Sequence, residues 1–112
     1  MIRISTPALL AAAALLVGLS AAAVAQSGLQ VVGQKDRAFS AEVLTVAKGA
    51  QVRFQNDDVI AHNVQVRDPA GASRISTLQR PGDHTDIEFN VSGDNDVRCV
   101  IHPRMRMIVK VQ

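Results

Sequence analysis

The sequence predicts an all-β domain, a sandwich or small barrel, on three observations. Beyond Ala25 no stretch carries a helical period, while several alternate apolar and polar residues with the period of two that a half-buried strand requires. Clusters of Gly, Pro, Asn and Asp punctuate these stretches roughly every eight to twelve residues. The chain has 112 residues and no internal repeat, enough for one small domain and no second core.

The elements follow in order. Phe39 to Val46 contains the run Val43-Leu44-Thr45-Val46, ended by the turn Lys48-Gly49-Ala50. Gln51-Val52-Arg53-Phe54-Gln55 alternates with Val52 and Phe54 inward, and Asn56-Asp57-Asp58 closes it. His62-Asn63-Val64-Gln65-Val66 alternates again and puts His62, Val64 and Val66 on one face. Asp68-Pro69-Ala70-Gly71 is a turn, the stretch to Gln79 is weakly patterned, and Arg80-Pro81-Gly82-Asp83 is a second turn. Thr85 to Val91 sends Ile87, Phe89 and Val91 inward. Ser92 to Asp96 reads as a loop feeding a short strand, Val97-Arg98-Cys99. Met107 to Val111 is the last strand, with Met107, Val109 and Val111 on the core side.

The start of the chain reads differently. Met1-Ile2-Arg3 is a short basic opening, Pro7 to Val24 is rich in Ala, Leu and Val, and Ala23-Val24-Ala25 offers the small residues a signal peptidase needs. The apolar run is short and Ala-rich for a bilayer span. The expected division is therefore a signal peptide at 1–25 and one domain at 26–112, exported with no membrane span left after cleavage. The full chain has 12 Lys and Arg against 10 Asp and Glu, and the leader removes only Arg3. A nearly neutral domain gives no broad electrostatic case for nucleic acid or a membrane surface.

Export changes the meaning of Cys99, the only cysteine. Thiols outside the cytoplasm are usually paired in disulfides, and one cysteine has no partner within its own chain. It is buried and inert, bonded to another chain, or held by a metal. The absence of Cys-x-x-Cys-His excludes an ordinary c-type haem attachment. Cys99 ends a strand, and Pro103 forces the chain out of the sheet, so His102 sits in the following turn. Met105 follows three residues later, bracketed by Arg104 and Arg106, an odd setting for a core residue; Met107 competes for the same role but lies deeper in an alternating strand. His62 opens its strand after a polar turn, at an end of the domain, and an inward imidazole needs a partner for its ring nitrogens.

Two imidazoles, a thiolate and a thioether form the ligand set of an electron-transfer copper site, because soft sulfur favours Cu(I) and imidazole tolerates Cu(II). His84, in Gly82-Asp83-His84-Thr85, reads as solvated, and Asp57-Asp58 lacks the further carboxylates calcium needs.

The segments Val52-x-Phe54-x-Asn56, His62-Asn63-Val64 and Cys99-x-x-His102-Pro103-x-Met105 resemble the small blue-copper proteins, the cupredoxins, and within them the amicyanin and plastocyanin-like proteins. The resemblance runs from about Phe39 to Gln112. It implies a Greek-key β-sandwich of about seven to eight strands with one copper ion at one end, held by His62, Cys99 and His102 with Met105 axial. Pseudoazurin-like spacing would instead select Met107, but Met105 keeps the final strand in the family register. Asn63 would tie the first ligand loop to the cysteine loop.

The same resemblance implies a periplasmic, monomeric electron carrier cycling Cu(II)/Cu(I) between redox protein partners, a donor dehydrogenase or a c-type cytochrome acceptor. The exposed edge of His102 would be the electron port, ringed by Ile101, Pro103, Val59 and Ile60, with Arg104 and Arg106 facing an acidic partner rim. An alternative is a periplasmic copper carrier or storage protein using the same ligands, and a third is a metal-free sandwich with Cys99 buried. No nucleophile–base pair or second metal site points to an enzyme.

Overall fold

A computed structural model describes residues 29–112; the signal peptide expected at 1–25 lies outside them. The described residues form β1 (Gln30–Lys35), β2 (Ala38–Phe39), β3 (Val43–Val46), β4 (Ala50–Asn56), β5 (Gln65–Arg67), β6 (Ser73–Ile75), β7 (His84–Phe89), β8 (Gly93–Arg98) and β9 (Arg106–Val111). They build a four-stranded sheet, β2-β1-β4-β7, and a five-stranded sheet, β3-β9-β8-β5-β6. The chain changes sheet after β2, β3, β4, β6 and β7, so two neighbouring pairs, β1 with β4 and β3 with β9, run parallel while the rest are antiparallel. No helix among the described residues is long and apolar enough to cross a membrane.

The inward parity read from the sequence is the parity of the core except at Val91, which lies past the end of β7, is half-buried and stays outside the cluster. Val46, Val52, Phe54, Val64, Val66, Phe89, Val97, Met107, Val109 and Val111 all pack into one cluster between the sheets. Each such side chain is worth roughly 1.5–3 kcal/mol of burial. Phe54 is its centre, edge-on to Phe39 at 6.1 Å and tilted against Phe89 at 6.4 Å.

Three elements differ from expectation. β1 is a strand the alternation does not reveal, because one of its inward residues is the polar Gln34 beside the apolar Val32. β6 comes from the weakly patterned stretch and is exposed throughout. β8 begins at Gly93, where Gly-Asp-Asn-Asp suggests a loop. Pairing along the whole of β9 holds this polar run extended, and the Asn95 amide donates to the carbonyls of Val91 and Gly93 at 3.0 and 3.2 Å. Cross-strand pairing overrides local propensity there.

Candidate metal centre

Four connections meet at one end of the sandwich: the β1–β2 turn, the β4–β5 loop, the loop preceding β7 and the β8–β9 loop. Asn56, buried at the end of β4, shapes the second of these. Its amide donates to the carbonyls of Ile60 at 2.9 Å and Gln79 at 3.1 Å, and its side-chain oxygen accepts from the Asp58 N–H at 3.0 Å. His62 then exchanges backbone hydrogen bonds with Gln79, at 3.0 and 2.7 Å, in an isolated bridge. His62 therefore precedes the strand instead of opening it, since β5 starts at Gln65. Its inward parity with Val64 and Val66 holds, and its side chain is fully buried.

A buried imidazole needs both nitrogens accounted for. His62 Nε2 lies 2.8 Å from Asp58 Oδ2, and the same oxygen accepts the Arg37 N–H at 3.1 Å. The hydrogen bond to His62, followed by that from Arg37, holds the Asp58 carboxyl down at about 2. An ionised carboxylate only accepts, so Nε2 donates to it, and in the neutral ring Nδ1 is the nitrogen left with the lone pair. This carboxylate–imidazole pair is what orients a histidine toward a metal. Asp58 is thus more than the turn residue its sequence context suggests. Its spacing of four before His62 was the available signal.

The Nδ1 lone pair faces Cys99. Cys99 follows β8 directly, is fully buried, and places Sγ 3.7 Å from His62 Nδ1. First-row metal bonds of about 2.3 Å to sulfur and about 2.0 Å to nitrogen, opened by about 120°, separate their donors by about 3.7 Å. The pair is spaced for a trigonal ion. Asn63 locks the two loops together: its Oδ1 accepts from the Val100 N–H at 2.8 Å, and its backbone N–H points to Cys99 Sγ at 3.5 Å. A thiolate at this position would gain that N–H as a donor.

His102 and Met105 come from one tight turn. The Met105 N–H donates to the His102 carbonyl at 2.9 Å, closing His102-Pro103-Arg104-Met105 with Pro at the position whose φ it presets. The Cys99 N–H donates to the Met105 carbonyl at 3.2 Å, so the loop returns to its start. The His102 ring meets the His62 ring edge-on at 4.9 Å and is partly exposed. Met105 is 1% exposed yet stands outside the hydrophobic cluster, whereas Met107 belongs to it. Among the described residues no group of three or more His, Cys, Asp or Glu side chains is assembled as an ion site. What is assembled is an oriented His62–Cys99 pair, with His102 in ring contact and Met105 joined through the backbone.

The remaining candidates sit apart. His84 is exposed on β7, opposite Gln55. Arg106 is within 3.9 Å of Asp96, while the side chain of Arg104 is unpaired among the described residues. Sequence reasoning also missed Gln79, whose buried amide donates to the Phe54 carbonyl and Thr85 hydroxyl at 3.0 Å each. Nothing in its polar surroundings in the sequence marks it.

Residues 26–112 match the family described as copper binding proteins, plastocyanin/azurin family. The chain belongs to this family. Its cofactor is accordingly one copper ion, and the donor set at this end fits it. Amicyanin from Paracoccus versutus (Thiobacillus versutus) is similar in structure, with a TM-score of 0.68 and 26% identity over 82% of this chain and 87% of that one. A purple cupredoxin from Nitrosopumilus maritimus shares the fold at a TM-score of 0.66, with 23% identity over 74% of this chain and 99% of that one. A Cu-containing nitrite reductase from Thermus scotoductus SA-01 contains the same fold, with a TM-score of 0.66 and 27% identity over 74% of this chain. This chain spans only 22% of that enzyme's length. No curated protein sequence matches the chain. Family and amicyanin-like neighbours together support a blue copper electron-transfer protein.

Proposed function

We propose that this protein is a periplasmic electron carrier that holds one copper ion through His62, Cys99 and His102, with Met105 as the weak axial ligand. The observation that carries this is the His62–Cys99 pair, oriented from behind by Asp58 and spaced for a trigonal ion. Copper bound there supplies a one-electron Cu(II)/Cu(I) couple. The chain's own part is to hold that geometry still. Asp58 fixes the His62 ring, Asn63 fixes the cysteine loop against it, and the Pro103 turn fixes the spacing from His102 to Met105. A cage that barely moves keeps the reorganisation between oxidation states small.

His62, Cys99 and Met105 are buried, and only His102 reaches the surface. A redox protein therefore has its shortest approach at His102. The burial of three of the four also favours keeping the ion over handing it on, which separates an electron carrier from a copper carrier. The four protein ligands leave no position for a substrate, which supports electron transfer over catalysis. The leader at 1–25 supports export to the periplasm, and the family match starting at Gln26 fits a single domain at 26–112.

Adding Cu(II) to the purified 26–112 domain is expected to give the intense visible charge-transfer band of a thiolate–Cu(II) bond, absent from Cys99→Ser. A colourless product, or colour that survives Cys99→Ser, overturns the proposal. Repeated reduction and reoxidation beside a copper chelator should leave the copper in place, whereas a carrier would lose it.

A further inference from the structure

A cleft of about 490 Å³ opens beside His102 and is lined by Arg37, Ile101, His102, Pro103 and Arg104. Its lining joins the apolar Ile101 and Pro103 to two arginines from connections far apart in sequence. These arginines differ from most others in the molecule. Arg53, Arg80, Arg98 and Arg106 each lie 2.7–3.9 Å from an aspartate, and Arg74 lies over the Phe89 ring. The side chains of Arg37, Arg104 and Arg67 have no partner among the described residues, and of these three only Arg37 and Arg104 line the cleft. Most arginines thus have an acidic or aromatic neighbour, while two that have none lie together beside His102.

Arg37 is also held in an unusual backbone. It and Asp36 form the two-residue β1–β2 turn with φ of 56° and 54°, where a non-glycine L-residue carries strain of about 1 kcal/mol or more. The turn is secured by the Arg37 N–H to Asp58, the carboxylate that orients His62. Asp36 shares the turn but does not line the cleft. A side chain kept at the mouth of the site by a strained, anchored turn is placed for contact.

We infer that the Arg37–Arg104 cleft is the docking site for a redox protein whose electron-exchange edge is rimmed by carboxylates, the two arginines sharing the cleft with His102 while Ile101 and Pro103 exclude water. The sequence suggests Arg104 with Arg106 for this task; in the structure Arg106 lies 3.9 Å from Asp96 and outside the cleft lining, which Arg37 joins instead. Charge complementarity of this kind acts mainly on the association rate and weakens with salt. The inference rests on the electron-carrier proposal above, and its test separates the two.

The first measurement needs no copper. Hexacyanochromate(III), a paramagnetic trianion, is titrated into the isotopically labelled metal-free domain and amide broadening is mapped. Broadening is expected around Arg37 and residues 101–104, and should disappear in Arg37→Asn/Arg104→Ala, in which Asn accepts the left-handed backbone. Broadening centred elsewhere, or unchanged in the double variant, overturns the docking site. The second measurement uses the copper-loaded domain with two c-type cytochromes, one with an acidic and one with a basic haem-edge rim. At low salt the acidic one should exchange electrons on the order of tenfold faster. The double variant should lose that advantage while keeping its visible band, and Arg67→Ala should retain it. A blue protein that prefers the basic cytochrome, or ignores the double substitution, overturns the docking site alone. A protein that never turns blue overturns the electron-carrier proposal and with it the redox partner.

Discussion

At the scale of single residues, His62 shows how one buried ring is fixed in orientation. Asp58 takes the proton-bearing nitrogen and leaves the other facing Cys99. The same bond makes Asp58 an acid-sensitive support. Its carboxyl sits at about 2, below the ordinary 3.8. Its contribution to stability is therefore complete above about pH 4 and is lost as the pH falls toward 2. Urea unfolding of the metal-free domain between pH 2 and pH 6 should show this fall, and Asp58→Asn should be less stable at neutral pH and flatter across that window. The two methionines divide along similar lines. Met107→Gln buries an amide in the apolar cluster and should cost about 1–3 kcal/mol in denaturation. Met105→Gln should instead move the visible band and the potential, with the smaller effect on stability. The reverse pattern would make Met107 the axial ligand.

At the scale of elements, the end loops are held by buried polar side chains, while the strands are held by apolar ones. Asn56 and Gln79 hold the His62 loop from below, and the Pro103 turn closes the other loop upon itself. β1 carries an unexplained polar residue of its own. Gln34 is fully buried, and neither its amide nitrogen nor its oxygen has a hydrogen-bond partner. Leaving such groups unmade costs stability, so Gln34→Met should raise the unfolding free energy by about 1 kcal/mol. A drop in stability would mean that the amide is satisfied in solution. Strands with clean alternation, β4, β7 and β9, were legible in the sequence. β1 and the start of β8 were not, because Gln34 and Asn95 occupy buried positions with polar side chains and only the pairing of neighbouring strands holds them there.

At the scale of the molecule, a small core and one bound copper ion make folding and loading interdependent. An ion that binds only the native chain stabilises it by about 2.7 kcal/mol at a hundredfold excess over its dissociation constant. Thermal unfolding of the 26–112 domain should therefore shift upward on copper addition, and the shift should vanish in Cys99→Ser. A melting temperature that ignores copper in the unsubstituted domain would place the ion outside the folded site. The near-neutral total charge conceals an uneven surface, since most arginines are paired internally and the pair beside His102 is not.

Residue type and spacing by themselves determined the all-β class and the inward faces of most alternating strands, and they singled out the short run from Cys99 to Met105, with His62, as the proposed ligand set. Period-two patterning suffices where one face meets the core, and a lone exported cysteine among metal-binding side chains narrows its chemistry. Tertiary structure alone decided that Asp58 backs His62, that Gln79 pins it, that Arg106 lies near Asp96 and outside the cleft lining, and that Arg37 arrives beside His102. Gln79, Asp96 and Arg37 come from separate strands and loops, and only the crossing of two sheets sets which side chains meet. Asp58 lay within reach of the sequence, four residues before His62, but its role depends on a ring orientation that only the folded loops show.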